Sequence, residues 1–129
     1  MVHVVDVASA KVSKNIKVGQ RPRRFALPPD GGQLWVSNEL DASVSARAAD
    51  ITPVGITIGR DGKRAFVGLG KANHVAFVDV ASRKTTDLVL VGKRAWGVAL
   101  DKAEKTLLVV NGLSDDLSIV DVAGAKAVK

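Results

Sequence analysis

The chain has 129 residues and a net charge of +6; it is 47% hydrophobic but only 4% aromatic, and it has no cysteine. That is one domain's worth of chain, long enough to bury a sizeable core of small β-branched side chains. The composition excludes a disulfide framework, thiol catalysis and a cysteine-based zinc site, and no apolar run reaches the ~18 residues that suggest a membrane-spanning helix.

Taken in chain order, strands are predicted at Val4–Val7, Lys11–Val18, Arg23–Leu27 and Gln33–Ser37, after which Val44 restarts the cycle. Later apolar runs follow at Val75–Val80, Thr106–Asn111 and Leu117–Val122. Turn signals bound them: Val18-Gly19, Asp30-Gly31, Asp61-Gly62, Val91-Gly92 and Asn111-Gly112. No segment keeps an apolar 3.6-residue spacing over ten residues, so the elements are strands and not helices. In His74–Asp79 the bulky residues alternate only loosely, the pattern of a strand buried on both faces.

These strands recur. Val5-Asp6-Val7-Ala8-Ser9 returns as Val78-Asp79-Val80-Ala81-Ser82 and again as Val120-Asp121-Val122-Ala123-Gly124. Residues 4–45 fall on 77–118 with a shift of 73 and no gap, and a middle copy fits between, 31 residues after the first and 42 before the last. A period near 42 is that of helical pairs or of four-stranded propeller blades, and the strand patterns select blades. The fold expected is an all-β propeller segment of about three blades, as one domain over 1–129 with units at about 1–43, 44–74, 75–116 and a partial unit at 117–129. The middle copy lacks the counterpart of 80–90, about one strand and its turn. Three units are too few to close a ring of the usual 4–8 blades. The expectation is therefore a fragment of a larger propeller, or copies that complete one another through open blade edges.

Candidate sites are few. The repeated Asp6, Asp79 and Asp121 read as structural turn residues, each accepting hydrogen bonds from the amides that follow. Asp115-Asp116 lacks the ligand spacing of a calcium loop, and Gly68-Leu69-Gly70-Lys71 lacks the spacing of a phosphate loop. His3 and His74 fall out of register, so no metal site is expected. No catalytic residue stands out, and few aromatic platforms argue against nucleic-acid binding. The basic residues are the best functional clue. Lys17, Arg21, Arg23 and Arg24 surround one turn, and Lys93 and Arg94 occupy the matching turn of a later copy, so Arg21 and Arg94 share one rim. Such a rim suits an anion or an acidic partner. Trp96 follows in the same turn, where packing between blades is the expected role.

The phrases Val-Asp-Val-Ala-Ser-x-Lys, Val18-Gly19-Gln20-Arg21-Pro22, Pro29-Asp30-Gly31-Gly32-Gln33-Leu34-Trp35-Val36-Ser37-Asn38 and Ser118-Ile119-Val120-Asp121-Val122 resemble the YVTN-type β-propeller repeat. Residues 53–56, 61–76 and 91–97 resemble more particularly the propellers associated with PQQ-dependent alcohol catabolism. The likeness covers nearly all of the chain outside about 46–52. It departs at the short middle copy, at Ala95 where the repeat favours Pro, and at Ala103-Glu104 where it favours Asp-Gly. The resemblance implies about seven blades in the whole protein and a periplasmic location. It also implies a non-catalytic binding or scaffold module whose partner is a quinoprotein dehydrogenase or cytochrome. PQQ would belong to that partner, with no cofactor bound by this chain. Two other classes stay open: a lactonase-like propeller hydrolase using Arg21 and Arg94 on an anionic substrate, and the propeller domain of a haem or copper reductase.

Overall fold

A computed structural model describes residues 1–27, 29, 34–40 and 52–129. Twelve strands and no helix are found among them: β1 Val2–Asp6, β2 Lys11–Ile16, β3 Pro22–Ala26, β4 Trp35–Asn38, β5 Pro53–Ile58, β6 Arg64–Leu69, β7 His74–Asp79, β8 Lys84–Leu90, β9 Ala95–Leu100, β10 Thr106–Asn111, β11 Asp116–Asp121 and β12 Lys126–Ala127. They pair antiparallel with their sequence neighbours into two four-stranded sheets, β5–β8 and β9–β12, and two hairpins, β1–β2 and β3–β4. This is the propeller segment that the repeat predicts. The Asp30-Gly31 turn, Gln33 and the restart at Val44 lie outside the described residues.

The repeat extends to backbone conformation. Positive φ recurs at equivalent positions of successive copies: Ala10, Arg83 and Ala125 (53°, 59° and 47°), Arg21 and Arg94 (53° and 62°), and Asn73 and Asp115 (58° and 53°). A left-handed residue after a short turn matches the twist of the two strands that it joins, so the same turn geometry returns at each copy. Gly62, in the Asp61-Gly62 turn, has φ 68°, and its successor Lys63 donates its amide to the Asp61 carboxylate at 2.9 Å.

Sheet and repeat unit are out of phase. The sheet β5–β8 takes its first two strands from the unit at 44–74 and its last two from the unit at 75–116, and β9–β12 straddles the next boundary in the same way. The short middle unit therefore contributes its last two strands, β5 and β6, to a complete four-stranded sheet. The missing stretch belongs after β4 and falls on residues outside the described set.

The three inner strands of the sheet β5–β8 are buried on both faces, while its outer strand β8 is largely exposed. Phe66, Val75, Phe77 and Val89 pack against Ala95, Leu107, Val109, Val120 and Val122 of the sheet β9–β12. On the other face Ile56, Ala65, Val67, Leu69, Ala76 and Val78 form a second core, joined by Ala26 and Trp35 of the β3–β4 hairpin. Phe66 and Phe77 meet edge to face, with ring centroids 4.8 Å apart, a geometry worth about 1 kcal/mol beyond the area buried. Every residue from Val75 to Val78 is buried, which accounts for the loose alternation in that strand.

The first strands of the sheets, β3, β5 and β9, pack successively against one another around the axis. Polar ties also cross between sheets. The Ser37 hydroxyl accepts from the Arg24 amide at 3.2 Å and donates to the Val54 carbonyl at 2.7 Å. The Arg60 amide donates to Glu104 Oε1 at 2.8 Å, and the Arg60 guanidinium reaches both Glu104 and the Lys102 carbonyl. Glu104 thus gives a structural purpose to one departure from the repeat.

Close approach of the inner strands depends on Gly55, where an added Cβ would lie 2.6 Å from the Trp96 carbonyl oxygen and 3.0 Å from the Val98 nitrogen. Both obstacles are backbone, so the strands themselves would have to part. Gly97 is the same position one repeat later, and a Cβ there meets only Val110 at 3.7 Å. Gly55→Ala is expected to lower unfolding stability by roughly 1–3 kcal/mol and Gly97→Ala to have a clearly smaller effect. Urea denaturation midpoints of the two variants measure the difference.

Candidate functional site

The basic rim is built by one backbone contact used three times. The Glu39 amide donates to the Arg21 carbonyl at 3.0 Å, the Gly70 amide to the Thr52 carbonyl at 2.7 Å, and the Gly112 amide to the Arg94 carbonyl at 2.9 Å. Each contact ties the entry to a first strand to the turn between the second and third strands. Arg21 and Arg94 therefore occupy the same end of successive sheets, as their alignment predicts. Further ties hold the Arg94 turn: the Arg94 amide donates to Asn73 Oδ1 at 2.8 Å, and the Lys93 amide to the Ser114 hydroxyl at 3.0 Å.

Three of the predicted site residues converge. The Arg94 guanidinium carbon lies 4.8 Å from the Trp96 ring centroid, and that of Arg23, from β3, lies 5.3 Å from the same ring. Trp96 is half-buried and serves as a platform for two cations, where packing between blades was the expected role. Each contact of this kind is worth about 0.5–1 kcal/mol near solvent and more when desolvated. Beside them Arg94, Trp96, Val110 and Gly112 line an open hollow of about 330 Å³.

The rim is not uniformly positive. Glu39 Oε2 lies 3.1 Å from Arg21 Nε and 2.5 Å from Arg23 Nε, with the Glu39 side chain only 9% exposed. This carboxylate offsets much of the charge at one end of the rim. Lys93, Arg94 and Arg24 form no salt bridge among the described residues, so the uncompensated charge lies with them. Sequence reasoning missed Glu39. Its signal was available, because Gly70 and Gly112 occupy the equivalent positions in the other copies and only the first copy carries a charge there.

The other candidates have local partners. Asp6 Oδ1 accepts from the Ser9 hydroxyl and amide at 2.6 and 2.7 Å, and Asp79 Oδ1 from the same groups of Ser82 at 2.6 and 2.7 Å. Asp121, followed by Gly124 in place of Ser, keeps only the amide bond, at 2.8 Å. Asp116 accepts from the Asn111 side-chain amide at 2.7 Å and from the Ser114 hydroxyl at 2.9 Å, which ties it to its own loop. His3 pairs with Asn15 and His74 with the Ala72 carbonyl. Among the described residues no group of three or more His, Asp or Glu is placed to hold a metal.

Residues 40–111 match the choice-of-anchor I domain family. No curated protein matches the chain. Among solved structures, hydrazine synthase from Kuenenia stuttgartiensis superposes with a TM-score of 0.74 at 21% identity, over 91% of this chain and 37% of that one. A chain of the mitotic checkpoint complex gives a TM-score of 0.81 at 16% identity, over 98% of this chain and 43% of that one. Apo AztD from Citrobacter koseri gives 0.54 at 15% identity, over 61% and 23%. At these identities the likeness is one of fold. The chain spans no more than about two-fifths of the length of these structures.

The turn aspartates make acid stability testable. The Ser9 and Ser82 hydroxyls, and then their amides, hold the Asp6 and Asp79 carboxyls below their ordinary pKa, and the Thr106 amide does the same for Asp101. A carboxylate whose pKa is depressed in the folded state contributes stability fully above the ordinary value near 4, and that contribution is lost as pH falls through the folded value. Ser82→Ala is expected to return the Asp79 pKa toward the ordinary value in an NMR titration and to move the onset of acid unfolding to higher pH. An Asp79 pKa unmoved by the substitution would show that the hydroxyl is not its cause.

Proposed function

The chain belongs to the choice-of-anchor I domain family, and on that premise we propose that it is a non-catalytic β-propeller module of an exported protein that binds an acidic protein partner at its basic rim. The observation that carries this reading is the convergence of Arg23 and Arg94 on the Trp96 ring. A guanidinium stacked on an indole keeps its N–H edges free for in-plane bidentate pairing with a carboxylate, and less side-chain freedom is lost on binding. Glu39 restrains Arg21 and Arg23, while Lys93 and Arg94 supply charge that a partner can neutralise. The net charge of +6 adds long-range attraction for an acidic surface.

Resemblance of the repeat phrases to the propellers associated with PQQ-dependent alcohol catabolism supports a periplasmic setting, with a quinoprotein dehydrogenase or its cytochrome as the partner. PQQ would then be held by the partner. A place among proteins that work in assemblies is in keeping with a structural neighbour drawn from the mitotic checkpoint complex.

Charge reversal tests the reading. Lys93→Glu with Arg94→Glu is expected to weaken binding to a quinoprotein dehydrogenase or its cytochrome by at least tenfold, about 1.4 kcal/mol, in isothermal titration calorimetry. The wild-type affinity should fall as salt is raised. Arg83→Glu, a surface charge far from the rim in the β7–β8 turn, should change little. Affinity indifferent to both the rim substitutions and salt would refute the proposal.

A further inference from the structure

We propose that Glu39 is a selectivity residue of the rim: it occupies the anion place of the first basic turn, so that the rim accepts a single carboxylate group and rejects polyanions. The inference deepens the reading of the rim given above and rests on it. Its basis is an asymmetry between two turns that the repeat otherwise makes alike. Arg21 and Arg94 share a positive φ, and each gives its carbonyl to the amide of an equivalent residue, Glu39 in the first copy and Gly112 in the third. The neighbouring contact matches too, with the Leu40 amide donating to the Gln20 carbonyl and the Leu113 amide to the Lys93 carbonyl. The middle copy also has glycine at this place, Gly70. Only the first copy sends a side chain from it.

That side chain stands where a bound anion would. Its Oε2 is within ion-pair distance of both Arg21 Nε and Arg23 Nε, and at 9% exposure solvent scarcely reaches it. A carboxylate so shielded from water is held only where cations offset its lost hydration. Arg23 is also stacked on Trp96, so the ring holds the guanidinium face while Glu39 holds its Nε edge. An incoming anion therefore finds this pair of guanidiniums already neutralised, and at close range it meets the Glu39 charge as well.

The rest of the rim breaks the row of cations. Ile51 and Thr52 stand where the third copy has Lys93 and Arg94. Along the three turns, then, Arg21 and Arg23 are paired with Glu39 in the first, these two positions carry no charge in the second, and Lys93 and Arg94 are free in the third. Beside the first turn Arg24 forms no salt bridge among the described residues, a single free charge. One carboxylate is satisfied by one guanidinium, through two parallel N–H···O bonds. A nucleic acid or sulfated polymer gains affinity by neutralising many charges in succession, and no unbroken succession is left. The rim thus favours an acidic protein surface over a phosphate polymer, although the net charge of +6 attracts both.

Fluorescence anisotropy with a labelled oligothymidylate at low salt tests the residue. Wild-type chain is expected to bind it weakly. Glu39→Gln, a neutral side chain of the same shape, should raise the affinity at least about tenfold and steepen the slope of log K against log salt by about 0.7–1.4, the mark of one or two further phosphates. Glu39→Gly, the residue of the other two copies, should do the same; each variant is first confirmed as folded by circular dichroism. Asp87→Asn, at an exposed position of β8, makes the same change in net charge away from the rim and should alter the affinity less than about twofold. Adding Arg21→Ala to Glu39→Gln should cancel most of the gain. Tight binding by wild type, no gain in either Glu39 variant, an equal gain in Asp87→Asn, or a gain that survives Arg21→Ala would each overturn the proposal. The two readings fail separately: this one on the oligonucleotide, the rim reading on the partner titration with Lys93→Glu and Arg94→Glu.

Discussion

A sheet in this chain buries its apolar side chains mainly against another copy of itself. The β5–β8 sheet satisfies that constraint twice, with the β9–β12 sheet on one face and the β3–β4 hairpin on the other. Its inner strands β6 and β7 have no solvent face to spend on polar residues, which is why β7 reads as a nearly continuous apolar run, whereas the outer strand β8 is largely exposed and carries Lys84, Thr85, Thr86 and Asp87. The remaining architecture follows. The first strands must approach until backbone meets backbone, and Gly55 marks the place where no side chain can intervene.

That close approach also builds the rim. Because β3, β5 and β9 stand side by side at the axis, residues distant in sequence can share one aromatic ring at one end of the sheets. Arg23 and Trp96 belong to nonadjacent sheets, yet their side chains meet. The rim is thus a product of blade packing, and its charge is shaped by where individual copies depart from the common pattern. Glu39 is such a departure on this end of the sheets; Glu104, clamping Arg60, is another at the opposite end of its strands.

Much of the fold was legible before any coordinates. The Val-Asp-Val phrases located β1, β7 and β11, and the Asp61-Gly62 turn adopts the positive φ that its glycine suggests. The phase of the sheets was not legible. A repeat has the same period wherever counting begins, and only hydrogen bonding shows that a sheet starts at β5 or β9 and not at β7. The middle copy is short by about a strand in sequence, yet its β5 and β6 open a full four-stranded sheet, because the sheets are out of phase with the repeat. In the site, the shared register of Arg21 and Arg94 could be read from the alignment, whereas the neutralising carboxylate and the double stacking on Trp96 could not, because pairing depends on side-chain reach across sheets.

By itself, the sequence determined the strand type, the period, the turn residues and the recurrence of one rim, because all of these depend on spacing along the chain. Tertiary structure alone decided which strands share a sheet and which arginines keep their charge uncompensated. These depend on distances between residues tens of positions apart, and similar repeats carry no local mark of where a sheet begins.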